Sequence, residues 1–127
     1  MYDIATSSIV ATKVKDCLIV TIGEDLSSGS LEEVKSLVLN HIHEKNCSSI
    51  IFELSALKFM DTIEFQGLKT VSEMAAVLGA KSLLVGLQPG IIFHLIMNNA
   101  ETTGVCAVLD LNEALEALGI TSAEPGN

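Results

Sequence analysis

Residues Ser48 to Leu68 read SSIIFELSALKFMDTIEFQGL, and this stretch decides the fold. Ile50 to Leu54 is a short apolar run with almost no alternation, the pattern of a strand covered on both faces. A turn follows, and a helix begins at Asp61-Thr62. Asp61 stands three residues before Glu64, the spacing at which two side chains close a capping box on each other's amides. The helix runs over Ile63 to Leu78. Its inward stripe is Phe65, Leu68, Val71, Ala75 and Leu78, and Gly79 ends it. A buried strand leading into an amphipathic helix is half of a parallel α/β unit.

Working outward, the same grammar repeats. Ile9 to Lys13 and Cys17 to Ile22 are β-branched runs joined by a tight turn at Val14-Lys15-Asp16. Gly23 to Ser30 (GEDLSSGS) is a loop. Ser30, three residues before Glu33, is the expected cap of a first helix, Leu31 to Lys45, whose apolar face is Leu31, Val34, Leu37, Val38 and Ile42. Asn46 breaks it. Downstream, Ser82 to Gly86 is a second buried strand, and Gln88-Pro89-Gly90 is a turn. Ile91 to Asn98 is a short helix with Ile92, Leu95 and Ile96 inward. Val105 to Leu109 is the last strand. Asp110 or Asn112 caps a final helix through Ala114, Leu115 and Leu118 to Gly119. The tail, residues 121–127, has no apolar periodicity and holds Pro125 and Gly126, so it is expected to be disordered.

The order ββαβαβαβα implies a mixed, largely parallel sheet of about five strands with four helices, connected by right-handed crossovers. Helices mainly on one face and helices on both faces are equally compatible with it.

The chain has 127 residues, 49% of them apolar and 4% aromatic, so one domain must build its core from aliphatic side chains. No apolar run approaches the roughly 18 residues that a membrane span needs. The N-terminus lacks a basic start and a long apolar run, so a soluble cytoplasmic protein is expected. A formal charge of −9 disfavours nucleic acid and anionic lipid as partners. Cys17, Cys47 and Cys106 are odd in number and widely spaced, so they are read as reduced, buried, small side chains rather than a disulfide framework or zinc site.

Chemistry-bearing patterns are sparse. His41 and His43 lie two apart on a helix, point to different sides, and cannot chelate as an i, i+4 pair would. His94 lies beyond the turn after a strand, where a ligand-facing role is open to it. No residue pair supplies both nucleophile and base, and no glycine-rich phosphate loop is present. No enzyme, metal site or cofactor is therefore expected. The Asp61-Thr62 turn remains, with two readings. Either it is a plain helix cap, or Thr62 is a phosphorylation switch whose phosphate sits at a helix N-terminus, opposed by Asp61 and Glu64.

Three segments, SSIIFELSALKFMDT (Ser48 to Thr62), SLLVGLQPGI (Ser82 to Ile91) and VLDLNEAL (Val108 to Leu115), give the chain a recognisable pattern. It resembles the STAS domain family, named for sulfate transporters and anti-sigma-factor antagonists, over about Ile9 to Leu118. A STAS domain over residues 1–120 is expected. VGLQPGI looks most like the stressosome branch, the RsbS and RsbR type proteins. The resemblance implies a small α/β fold with a mixed sheet, and phosphorylation at Thr62 by a serine/threonine kinase of the RsbT type. It implies that Asp61 and Glu64 shape that site, and that a metal-dependent phosphatase of the PP2C type reverses the mark. It further implies co-assembly with RsbR-type paralogues and with copies of itself, and release of the sequestered kinase on phosphorylation, within a stress or sigma-factor pathway. Ile63, Gln66, Pro89 and Gly90 are the expected interface positions. The common antagonist pattern is Asp-Ser-Ser-Gly, whereas this chain has Asp61-Thr62-Ile63-Glu64. Bulky Ile63 and acidic Glu64 point away from a simple antagonist and toward the stressosome type. A single domain without an added sensor resembles RsbS more than RsbR. Two other readings stand beside this one: a STAS docking subunit of a membrane transport system, and a ligand-binding domain with a pocket between the Thr62 and Pro89-Gly90 turns.

Overall fold

The structure, a computed structural model, describes residues 9–45 and 47–120. The expectations for Asn46 and for residues 121–127 lie outside the described residues.

β1 (Ile9–Val14) and β2 (Cys17–Ile22) form an antiparallel hairpin in which Val14 pairs with Cys17. The loop is two residues, and Lys15 takes φ 55°, a left-handed conformation such a reversal needs. Asp16 ties the hairpin to the next strand: its carboxylate accepts from Ser48 Oγ at 2.7 Å and its carbonyl from the Ser48 amide at 2.9 Å. α1 (Ser28–Lys45), β3 (Ser49–Glu53), α2 (Thr62–Val77), β4 (Lys81–Val85), α3 (Pro89–Met97), β5 (Ala107–Val108) and α4 (Leu111–Ala117) follow. The five strands lie in the order β1-β2-β3-β4-β5, antiparallel only at the hairpin and parallel from β2 to β5. This is the mixed, mostly parallel sheet with four helices that the residue pattern predicts.

The distribution of helices, open in the sequence, is three and one. Each step from β2 to β5 advances one position in the same direction. Crossovers of one hand then place α1, α2 and α3 on a single face. Their core is Leu18, Val20, Ile22, Ile50, Phe52 and Leu84 from the sheet against Val34, Val38, Phe65, Leu68, Val71, Ala75, Ile91 and Leu95 from the helices. α4 follows the last strand and is free of that constraint. It covers the opposite face, where Ala114 and Leu115 meet Cys17, Ile19, Ile51, Leu83 and Val85. Successive residues of β3 alternate between these two cores, which is why the strand shows no alternation in its sequence.

Several local expectations are corrected. Ser30 does not cap α1. The helix starts earlier, at Ser28, and Ser27 takes the capping place: its Oγ accepts from the Ser30 amide at 3.2 Å and its carbonyl from the Leu31 amide at 2.9 Å. Leu78 is exposed, because it lies past the last helical turn as the C-cap. Gln88-Pro89-Gly90 is not a separate turn. Gln88 is the N-cap and Pro89 is the first residue of α3, where its fixed φ fits and its missing N–H goes unneeded. With the helix begun two residues earlier, Ile91 and Leu95 face the core, and Ile92 and Ile96 are exposed. The last strand shrinks to Ala107–Val108, since only two residues pair with β4 at the sheet edge. Cys106, just before it, is exposed, while Cys17 and Cys47 are buried. Asp110, not Asn112, caps α4, accepting from the Glu113 amide at 2.9 Å.

Candidate functional site

The parallel strands β3 and β4 end side by side, and the loops that leave them build the site. Leu54 donates its amide to the Val85 carbonyl at 2.8 Å, extending the sheet by one bond. The chain then runs to α2 with Leu54, Leu57 and Met60 all fully buried. Three apolar anchors in seven residues pin this loop to the core. Ser55 Oγ donates to both oxygens of Glu53, at 2.8 and 3.0 Å. Gln88 reaches across from the start of α3, its Nε2 donating to the Ser55 carbonyl at 3.0 Å. Gly86, with φ +79°, lets the two loops touch: a Cβ there would sit 2.9 Å from Ser55 Cβ.

That framework delivers Asp61 to the N-cap of α2. Asp61 Oδ1 accepts from the Glu64 amide at 2.8 Å, and Glu64 Oε1 accepts from the Asp61 amide at 3.0 Å. The capping box is complete, so both carboxylates are engaged by backbone donors. Thr62 is the next residue, half-buried at the first helical position. The cap is Asp61, not Thr62. Among the described residues the Thr62 hydroxyl makes no hydrogen bond. Thr62 therefore has no capping task, and its hydroxyl stands at the positive end of a 16-residue helix.

Two large apolar side chains close to it in the chain are exposed, among the polar Lys58, Asp61, Glu64 and Gln66. Ile63 is 79% exposed and Phe59 is 51% exposed. The Phe59 ring meets His94 of α3 edge-on, with centroids 5.0 Å apart, so the loop before α2 and the helix after β4 share one surface. Gln66, one turn beyond Ile63, is exposed, as are Pro89 and Gly90. The structure thus brings Asp61, Thr62, Ile63, Glu64 and Gln66 together on α2. Pro89 and Gly90 sit on a neighbouring element tied to it through Gln88 and Phe59. Two grooves lie beside α3, of about 260 and 360 Å³, and they are lined by such residues as Leu87, Ile92 and Ala107 rather than by Thr62 or Pro89.

Sequence reasoning missed Phe59 and the outer face of α3, where Ile92, Phe93, Ile96 and Met97 are exposed. The signal was present. The 19 residues from Ser82 to Ala100 contain no Asp, Glu, Lys or Arg, in a chain of net charge −9. Among the described residues there is no group of three or more His, Cys, Asp or Glu placed to hold a metal ion, and no helix is long and apolar enough to cross a membrane.

A search of curated proteins returns no match. Among solved structures, the chain is similar to a Ser-to-Glu variant of RsbS from Moorella thermoacetica, at 26% identity with a TM-score of 0.75, over 89% of this chain and 96% of that one. It is similar to a chain in the structure of the stressosome, described as a signal integration and transduction hub, at 23% identity and TM-score 0.70, over 87% and 96%. It shares its fold with the anti-sigma factor antagonist SpoIIAA in its unphosphorylated form, at 14% identity and TM-score 0.68, over 87% and 97%. The STAS domain model matches residues 8–117, covering both hairpin strands, the Asp61-Thr62 cap and the charge-free α3 region; the chain belongs to the STAS domain family.

Proposed function

We propose that this protein is a non-enzymatic scaffold and phospho-switch of a stressosome-type complex, acting in the cytoplasm. It self-associates, co-assembles with larger RsbR-type paralogues, and sequesters a switch serine/threonine kinase of the RsbT type. The kinase transfers the γ-phosphoryl group of ATP to Thr62 Oγ1, leaving ADP, and is then released. A PP2C-type phosphatase restores the hydroxyl by hydrolysis.

The observation that carries this reading is the division of labour at the start of α2. Asp61 and Glu64 close the cap between themselves, and the adjacent Thr62 hydroxyl is left unpartnered between exposed Phe59 and Ile63. A phosphate there adds about −1.5 to −2 charges, and the helix dipole stabilises it by roughly 0.3–1 kcal/mol. The fold has no reason to change. The docking surface does. A surface that a partner covers would now carry a strongly hydrated dianion, whose burial is costly without new partners. Asp61 and Glu64 add repulsion toward any acidic group on the partner. The RsbS and stressosome likenesses support the assembly. The solved structures of SpoIIAA, both unphosphorylated and phosphorylated, superpose on this chain with TM-scores of 0.68 and 0.64, which supports a mark that leaves the fold in place.

The test is capture from native lysate by wild-type and Thr62→Asp protein, read by mass spectrometry. Wild type is expected to retain an ATPase-fold kinase together with STAS paralogues. Thr62→Asp is expected to lose the kinase, keep the paralogues and melt within a few degrees of wild type. Identical capture by both proteins would overturn the switch.

A further inference from the structure

The chain leaves β4 and β5 in opposite directions. β4 runs into α3, which lies with α1 and α2 on one face of the sheet, and β5 runs into α4, which covers the other. Where the helices after two neighbouring parallel strands go to opposite faces, the carboxyl ends of those strands leave a crevice, and open α/β sheets hold their ligands there. This chain has such a crevice. A groove of about 360 Å³ opens beyond β4 and β5, walled by Leu87, Ile92, Val108 and Leu109, with Glu113 of α4 at its edge. Its size falls within the ~300–1,000 Å³ of small-molecule sites. A second groove, of about 260 Å³, adjoins it and shares Leu87, Ile92 and Ala107. This one reaches Phe65, Leu84 and Leu95, all buried members of the main core. β5 pairs with β4 over only two residues, so the sheet edge stops short of closing it. The two grooves form one apolar cleft with a single charged side chain at one end.

That end selects the ligand. Glu113 Oε1 accepts from the Leu109 amide at 2.9 Å, which holds the side chain in place and leaves Oε2 open. Asp110 accepts from the Glu113 amide at 2.9 Å, so the start of α4 already has its own carboxylates and offers little to an anion. No Lys or Arg lines either groove. A phosphate or a fatty carboxylate would be repelled by Glu113. A protonated amine would make a charge-assisted hydrogen bond to it, while an attached chain displaces water from the aliphatic walls.

We propose that this cleft binds a small cationic amphiphile, an aliphatic chain bearing one primary ammonium group. The ammonium rests on Glu113, and the chain runs past Leu87, Ile92 and Ala107 toward Phe65. The site goes beyond the phospho-switch and depends neither on Thr62 nor on a protein partner.

Titration of the purified chain with octylamine, octanol and octanoate, followed by two-dimensional amide NMR, tests it. Octylamine is expected to shift the amides of Leu87, Ile92 and Ala107 to Leu109, and to bind at least about tenfold more tightly than octanoate, with octanol between them. Glu113→Gln keeps an oxygen for the Leu109 amide and removes the charge. It is expected to weaken octylamine about three- to tenfold and to leave octanol unchanged. Glu73→Gln makes the same change of net charge at an exposed position outside both grooves, and should leave octylamine binding as in wild type. Ala107→Phe, which fills the junction of the grooves, is expected to abolish binding of octylamine and octanol; Glu113→Gln decides the case whether or not that variant folds. Octanoate or octanol binding as tightly as octylamine overturns the proposal, as do shifts confined to other parts of the chain. Equal losses in Glu113→Gln and Glu73→Gln would show only a general attraction to a chain of net charge −9, and overturn the site. Expulsion of octylamine as protein rises from about 20 to about 500 µM would give the cleft to a second copy and overturn it too. None of these failures touches kinase capture, which tests the switch by itself.

Discussion

Asp61 and Thr62 are adjacent, and the structure separates their roles. Asp61 closes a reciprocal cap with Glu64, and Thr62 contributes no side-chain bond to it. Asp61→Ala is therefore expected to cost about 1 kcal/mol of stability, in the usual range for a lost N-cap. Thr62→Val should cost less than about half of that. Chemical denaturation of the two variants, with unchanged slopes, checks the pair. If Thr62→Val is the more damaging change, Thr62 is structural and the switch loses its basis. The capping box itself was legible from spacing, because it needs only two residues three apart. That Thr62 was spare was not legible, since Asp and Thr are both good caps and only coordinates show which oxygen meets the amide. Cys106 teaches the same lesson. Its side chain alone gave no clue that it would be exposed, because that depended on the last strand being two residues long.

At the scale of elements, the β3–α2 and β4–α3 connections act as one unit. Gly86 at φ +79° lies so close to Ser55 that any Cβ would overlap it, and Gln88 bridges to the Ser55 carbonyl. Gly86→Ala is expected to destabilise by about 1–3 kcal/mol, combining left-handed strain with a backbone-side clash that no rotamer relieves. Thermal melting of the variant would show it as a drop of several degrees, and a melting point equal to wild type would mean the two loops are free to part. Gly67 packs close to Leu31 in a similar way, but its neighbour is the flexible end of a side chain and can give. The helical periods of α1, α2 and α4 were readable because each has one apolar face. α3 was misaligned because it is apolar nearly all round. Its sequence, PGIIFHLIM, offers Ile91, Ile92, Leu95 and Ile96 equally to the core, and only the start of the helix at Pro89 decides that Ile91 and Leu95 go in.

Across the whole molecule, the sheet separates two cores, and Cys17 lies fully buried in the smaller one. Burial pushes its thiol above the usual value of 9.0, since the thiolate would be desolvated; a hydrogen bond to Ser49 offsets this in part. A folded-state pKa raised above the unfolded one gives stability that is full below the unfolded value and is lost as pH rises from there through the folded value. Stability is therefore expected to fall above about pH 9 more steeply in wild type than in Cys17→Ala. Denaturant titrations at pH 8 and about pH 10 would check this; equal slopes in the two proteins would refute it. The ββαβαβαβα order and the Asp61–Glu64 cap were determined by the sequence alone, because each rests on residues within a few positions of one another, and the mostly parallel sheet follows from the alternation of strands and helices. The tertiary structure decided what depends on distant segments: three helices on one face and one on the other, a spare Thr62 hydroxyl, two loops joined at Gly86, and an uncharged α3 left facing outward. Those features follow from which surfaces remain once the core is filled, and local periodicity carries no record of that.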